Sequence, residues 1–91
     1  MNPSRIRDGV AFRSSLRPLK EPSFRVIAAL QDVEASVQID ALALTLTLMA
    51  DAVGLDPHAL ITRARRQIAD ADAVKNPHLE AVRDYAAGEL R

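Results

Sequence analysis

At 91 residues the chain has room for one domain, and a core this small makes stability marginal unless chains associate. It contains no cysteine, which removes disulfides, thiolate metal sites and thiol redox chemistry and suits a reducing cytoplasm. The formal net charge is zero, but residues 1–25 hold six bases against Asp8 and Glu21, while residues 26–62 hold five acids and no base. That segregation marks either an arm that seeks an acidic partner or one that folds onto the chain's own acidic surface.

Residues 1–22 carry Pro3, Gly9, Pro18 and Pro22 among scattered Ile6, Val10, Phe12, Leu16 and Leu19, which hold neither the helical nor the strand period for long. They read as a basic N-terminal arm, extended and with at most one helical turn, ahead of a single helical domain over residues 23–91. Arg5, Arg7, Arg13 and Arg17 have no apolar run behind them, so an ordinary secretory signal is not expected. The longest uncharged stretch, Ala41 to Ala50, is ten residues, about half of what a spanning helix needs, so no membrane is expected as a partner either.

Ser23 is placed to cap a first helix in which Val26, Leu30, Val33 and Val37 recur on one face. No Gly or Pro falls between Ser23 and Val53, yet one helix of that length is uncommon in a small domain. A break is placed at Glu34 to Ser36, with Ser36 capping a second helix that ends at Val53. Along that helix Ile39, Leu42, Ala43, Leu46, Met49, Ala50 and Val53 form one apolar stripe. Val37, Ala41, Leu44, Leu48 and Ala52 form a second on nearly the opposite face, and such a helix has to be covered on two sides. The remaining short helices are too few for both, so Val37, Ala41, Leu44 and Leu48 are expected at a dimer interface; the alternative is a central helix wrapped by its own chain. The alternation Leu44-Thr45-Leu46-Thr47-Leu48 also fits a strand, but it has no turn beside it and no partner strand.

Gly54 ends this helix with Leu55 folding back, and Asp56-Pro57 starts the next, a device that recurs at Asn76-Pro77. The third helix is expected to bury Leu60, Ile61, Ala64, Ile68 and Ala71, fraying from Ala69 to Lys75. The fourth aligns Leu79, Val82, Ala86 and Leu90. The fold class is therefore all-α, a small four-helix domain with an N-terminal arm, dimeric by the argument above.

Chemistry-bearing patterns are sparse. His58 and His78 are the only histidines, each follows a helix-starting proline, and zinc would need three or four ligands where only scattered carboxylates such as Asp51 and Asp56 are on offer. There is no Gly-rich phosphate loop, no Gly-x-Ser-x-Gly and no cysteine nucleophile, so no catalytic, cofactor or metal residue is assigned. Arg63, Arg65 and Arg66 do not share one helical face, and pairing of Arg66 with Asp70, and of Arg65 near Asp72, accounts for a solvated surface.

Thr45-Leu46, Met49-Ala50, Ala52-Val53-Gly54-Leu55 and Leu60 to Arg63, within residues 45–66, resemble the closing helix pair of lambda-repressor-like helix-turn-helix domains. In that family the base-reading helix lies upstream, and Leu19 to Ser36 lacks the Gly and polar residues of its turn. Ten Arg against two Lys, with sixteen Ala, also give the chain the look of small accessory proteins of phages and prophages in GC-rich bacteria. The function expected is a non-catalytic homodimeric module that binds a protein partner in the cytoplasm of a bacterial cell or phage-infected host. The alternative is a nucleic-acid-binding regulator using Arg5, Arg7, Arg13 and Arg17 with Arg63 and Arg66.

Overall fold

Three of the helices begin with the same local device, an Asx side chain followed by proline. The computed structural model describes residues 1–13 and 15–89. Its elements are α1 (Pro3–Phe12), a 3₁₀ turn (Arg17–Leu19), α2 (Lys20–Ala29), α3 (Ala35–Val53), α4 (Pro57–Ala73) and α5 (Pro77–Glu89). The side chain of Asn2 accepts from the Arg5 N–H at 3.2 Å, that of Asp56 from the His58 N–H and that of Asn76 from the His78 N–H, both at 2.9 Å. Each satisfies an amide that has no acceptor inside the helix, and the proline beside it sits where its missing N–H costs nothing.

The all-α expectation holds, with no strand among the described residues, but the helix count and the extended arm do not. Five α-helices are described, because residues 3–12 fold as α1 and α2 starts at Lys20, ahead of Pro22. Pro22 stands in the first turn of α2, where proline is tolerated, and Ser23 is therefore inside the helix and is not its cap. Leu90, assigned to the apolar arc of the last helix, lies outside the described residues.

The expected break is present but lies earlier, between Ala29 and Ala35. Glu34 occupies the N-cap position of α3 without a side-chain bond to the helix, and the Ser36 hydroxyl donates to Glu34 Oε1 at 3.0 Å instead of capping. The turn is fixed from the other side: Gln38, a buried polar residue, donates from Nε2 to the Val33 carbonyl at 2.6 Å.

α3 stops at Gly54, in the left-handed region at φ 76°, with the Leu55 N–H returning to the Ala50 carbonyl and the Gly54 N–H to that of Asp51. These two bonds satisfy carbonyls that the end of the helix would otherwise leave open. α4 ends with the same pair of bonds, Asn76 to Ala71 and Lys75 to Asp72, and there Lys75 takes the left-handed position at φ 52°. α4 thus runs intact to Ala73, with no fraying from Ala69.

Two packed units result. α2 lies on α5 through Phe24 and Tyr85, whose ring centroids are 5.1 Å apart, with Lys20 over the Phe24 ring and Gln31 donating to the Tyr85 hydroxyl. α1 lies on the C-terminal half of α3, and α4 joins the units: Arg63 donates to the Arg13 carbonyl, and Arg83 of α5 forks onto both oxygens of Asp72 at 2.9 and 3.0 Å. Of the residues expected inside, Ala71 is buried, Leu60 and Ala64 are half-buried, and Ile61, Ile68, Val26, Val33 and Val37 are exposed.

The core is thin. Ala50, Val53 and Ala71 are the buried apolar residues among those described, and none of the large side chains is fully enclosed. The chain exposes 6786 Å² at a mass of 9.9 kDa, whereas a compact monomer of that mass exposes about 5,200 Å². Its radius of gyration is 13.8 Å, against roughly 12 Å for a compact chain of this length.

Candidate functional site

Several of the exposed large apolar side chains, Val37, Ile39, Leu42, Leu44, Leu48 and Met49, are on α3. Its nineteen residues wrap two apolar stripes around the helix, leaving Asp40, Thr47 and Asp51 as a narrow polar strip. The stripe centred on Leu46 turns toward α1 and α4: Ala50 is 2% exposed, Val53 is buried and Leu46 half-buried. Even this face is incomplete, since Ile39 and Leu42 remain exposed and Met49 is 66% exposed. Met49 lies with Met1, Ile6, Val10, Leu46, Leu55 and Leu60 along an apolar groove of about 350 Å³.

The opposite stripe has almost no cover. Leu44 is 62% and Leu48 60% exposed, Val37 is exposed, and only Ala41 is half-buried. Ala41 lines an open groove of about 210 Å³, where Val26 and Ala29 of α2 and Leu30 just beyond it face Ala41, Leu42 and Thr45. The four residues expected at a dimer interface therefore share one open face, and the alternative of a helix wrapped by its own chain is not what this fold contains. α3 is also long and apolar enough, by length and composition, to cross a membrane. Asp40 and Asp51 interrupt this otherwise apolar helix, so its longest uncharged stretch is only the ten residues from Ala41 to Ala50.

The arginines expected to contact a partner divide. Arg7 donates to the Val53 carbonyl at 2.6 Å and to the Ser4 hydroxyl at 3.1 Å, so it caps the C-terminal end of α3, where a cation is favoured. With Arg63 and Arg66 it lines a cleft of about 410 Å³ between α1 and the start of α4, which also carries Asp56. Arg5, Arg13 and Arg17 are exposed and do not line that cleft. Among the described residues the ion pairs are those of Arg83 with Asp72 and Glu80, so the bases of residues 1–25 are not paired with Asp32, Glu34 or Asp40, nor Arg66 with Asp70.

The hydrogen bond from the Arg83 guanidinium holds the Asp72 carboxyl below the ordinary aspartate range, and the same bond raises Arg83. The Arg83 and Asp72 side chains are 43% and 45% exposed, and the pair ties α5 to the end of α4. His58 is exposed and His78 half-buried beside Leu79 and Val82. Among the described residues no three His, Asp or Glu side chains gather as a metal would require.

Sequence reasoning passed over Phe24, Tyr85, Gln38 and the helix start at Asn2-Pro3. Only the last had a signal in reach, since it repeats Asp56-Pro57 and Asn76-Pro77. No protein-family model, curated protein or solved structure matches this chain.

Proposed function

We propose that the chain is a non-catalytic helical module that works as a homodimer built on α3 and offers its remaining surface to a protein partner. The observation that carries this reading is the open face of Val37, Ala41, Leu44 and Leu48. Exposed area adds to it: the chain shows about 1,600 Å² more than a compact monomer would, and a standard interface takes about 800 Å² from each partner. Obligate dimers have interfaces of that larger size and of this apolar character.

Light scattering of the purified protein tests it, with a dimer mass expected at micromolar concentration and a monomer mass at all concentrations refuting it. Leu44→Asp places two carboxylates in the interface and is expected to weaken association at least about a hundredfold. The side chain is exposed within one chain, so the loss reports the partner's contact and not the chain's own core.

A second reading, a nucleic-acid-binding regulator, draws on the cleft where Arg66 stands beside Arg63 and Arg7. It is weakened by the use of Arg7 and Arg63 as donors to backbone carbonyls. Gel-shift titration at two salt concentrations decides it, since phosphate binding weakens steeply as salt rises.

A further inference from the structure

We infer that the second copy lies antiparallel on α3, in the register that sets Leu44 against the partner's Ala41 and Leu48 against the partner's Val37. This rests on the self-association proposed above and adds the orientation and register of the pair. Val37, Ala41, Leu44 and Leu48 are spaced by four, three and four residues, the alternation that keeps a seam on one side of a helix facing another helix.

Side-chain size then separates the two orientations. In a parallel pair each residue meets its own copy, so two alanines face each other at position 41 while the adjacent layer must hold two leucines. The first leaves a void and the second crowds. In the antiparallel register every layer joins one leucine to a smaller residue, twice Leu with Ala and twice Leu with Val, and the helices can keep one spacing throughout.

The next seam position after Leu48 is Asp51, and α3 carries no base to neutralise it. Side-chain charge does not separate the orientations, because a parallel pair sets Asp51 against its own copy and the antiparallel register sets it against the partner's Glu34, outside the last apolar layer, where each is exposed within its own chain. The antiparallel pair does move the two Asp51 positions roughly 25 Å apart along the helices. The helix dipoles oppose each other only in the antiparallel arrangement, which favours it. A helix laid on the seam further covers the groove in which Val26 and Ala29 of α2 face Ala41 and Thr45.

The absence of cysteine makes the test direct. Val37→Cys and Leu48→Cys are oxidised separately and then as an equal mixture refolded together, with dimers read on a non-reducing gel. A disulfide needs Cα atoms within about 7 Å, so the mixture is expected to cross-link while each variant alone does not. Cross-linking of each variant alone, or no cross-link in a mixture that scatters light as a dimer, overturns the inference. Asp51→Cys carrying a nitroxide leaves the apolar layers intact and gives a second reading by pulsed electron spin resonance. A separation of about 25 Å is expected, and one below about 15 Å overturns the orientation. A wild-type protein that is monomeric, or that sediments with phosphatidylcholine vesicles as a monomer, removes the self-association reading itself and the inference with it.

Discussion

Lys75 takes at the end of α4 the left-handed conformation that Gly54 takes at the end of α3, and it does so with a side chain. A left-handed residue bearing a Cβ costs about 1 to 2 kcal/mol, which a glycine avoids at some expense in chain entropy. Lys75→Gly is therefore expected to stabilise the fold by about 0.5 to 1 kcal/mol, read as a higher midpoint in urea. The two stops differ in one further respect. A Cβ at Gly54 would lie 3.1 Å from the Arg7 guanidinium, so glycine there also leaves room for the cap on Val53. Gln38 has a comparable local duty, because its amide occupies the Val33 carbonyl in the turn between α2 and α3.

At the scale of elements, α1 is part of the fold and not an appendage. It supplies Ile6 and Val10 to the groove over α3 and Arg7 to the end of that helix, while Arg63 grips the carbonyl of Arg13 just beyond it. Removing residues 1–13 is expected to lower the melting temperature by more than about 10 °C, since the loss of a charged cap and two apolar contacts exceeds about 2 kcal/mol. Thermal unfolding followed by circular dichroism checks it, and an unchanged midpoint would return these residues to the status of an arm. Phe12, at 83% exposure, is not part of that contribution. The contact between α4 and α5 depends on pH in a defined direction. Asp72 is held below its ordinary value near 3.8, so the pair contributes above that value and is lost as pH falls through the depressed one. Arg83→Gln is expected to be less stable than the native chain at neutral pH and to converge with it once the pH has fallen below the depressed Asp72 value, in urea titrations run at each pH.

What could be read from the sequence divides along the same line. Helix stops and starts were legible where they are local: Gly54, Asp56-Pro57 and Asn76-Pro77 act within a few residues of themselves, and their chemistry needs no partner. The open face of α3 was legible because two apolar stripes on one helix are visible in spacing alone. α1 was missed because Pro3, Gly9, Pro18 and Pro22 were all weighed as breakers, although Pro3 and Pro22 sit in first turns, where proline is harmless. The face that α2 buries was also misread, since its apolar period fits two faces, and only contact with Tyr85 on a distant helix selects the one that carries Phe24.

For the whole molecule, the thin core and large surface have a thermodynamic consequence. A chain in which Ala50, Val53 and Ala71 are the buried apolar residues described has little internal apolar burial to set against the entropy of ordering 91 residues. If the missing burial comes from a second copy, unfolding separates two chains, and the folded state gains stability with protein concentration by mass action. Each tenfold rise in concentration adds about 1.4 kcal/mol per dimer, and for two chains of this combined size that corresponds to a rise of about 3 to 5 °C in melting temperature. Scanning calorimetry or circular dichroism from about 1 to 100 μM spans two such steps, so a total rise of about 6 to 10 °C is expected. In Leu44→Asp the dependence should vanish together with much of the stability. A native midpoint that stays constant over that range would mean that each chain is stable alone, and that its apolar α3 face is held in reserve for a different partner.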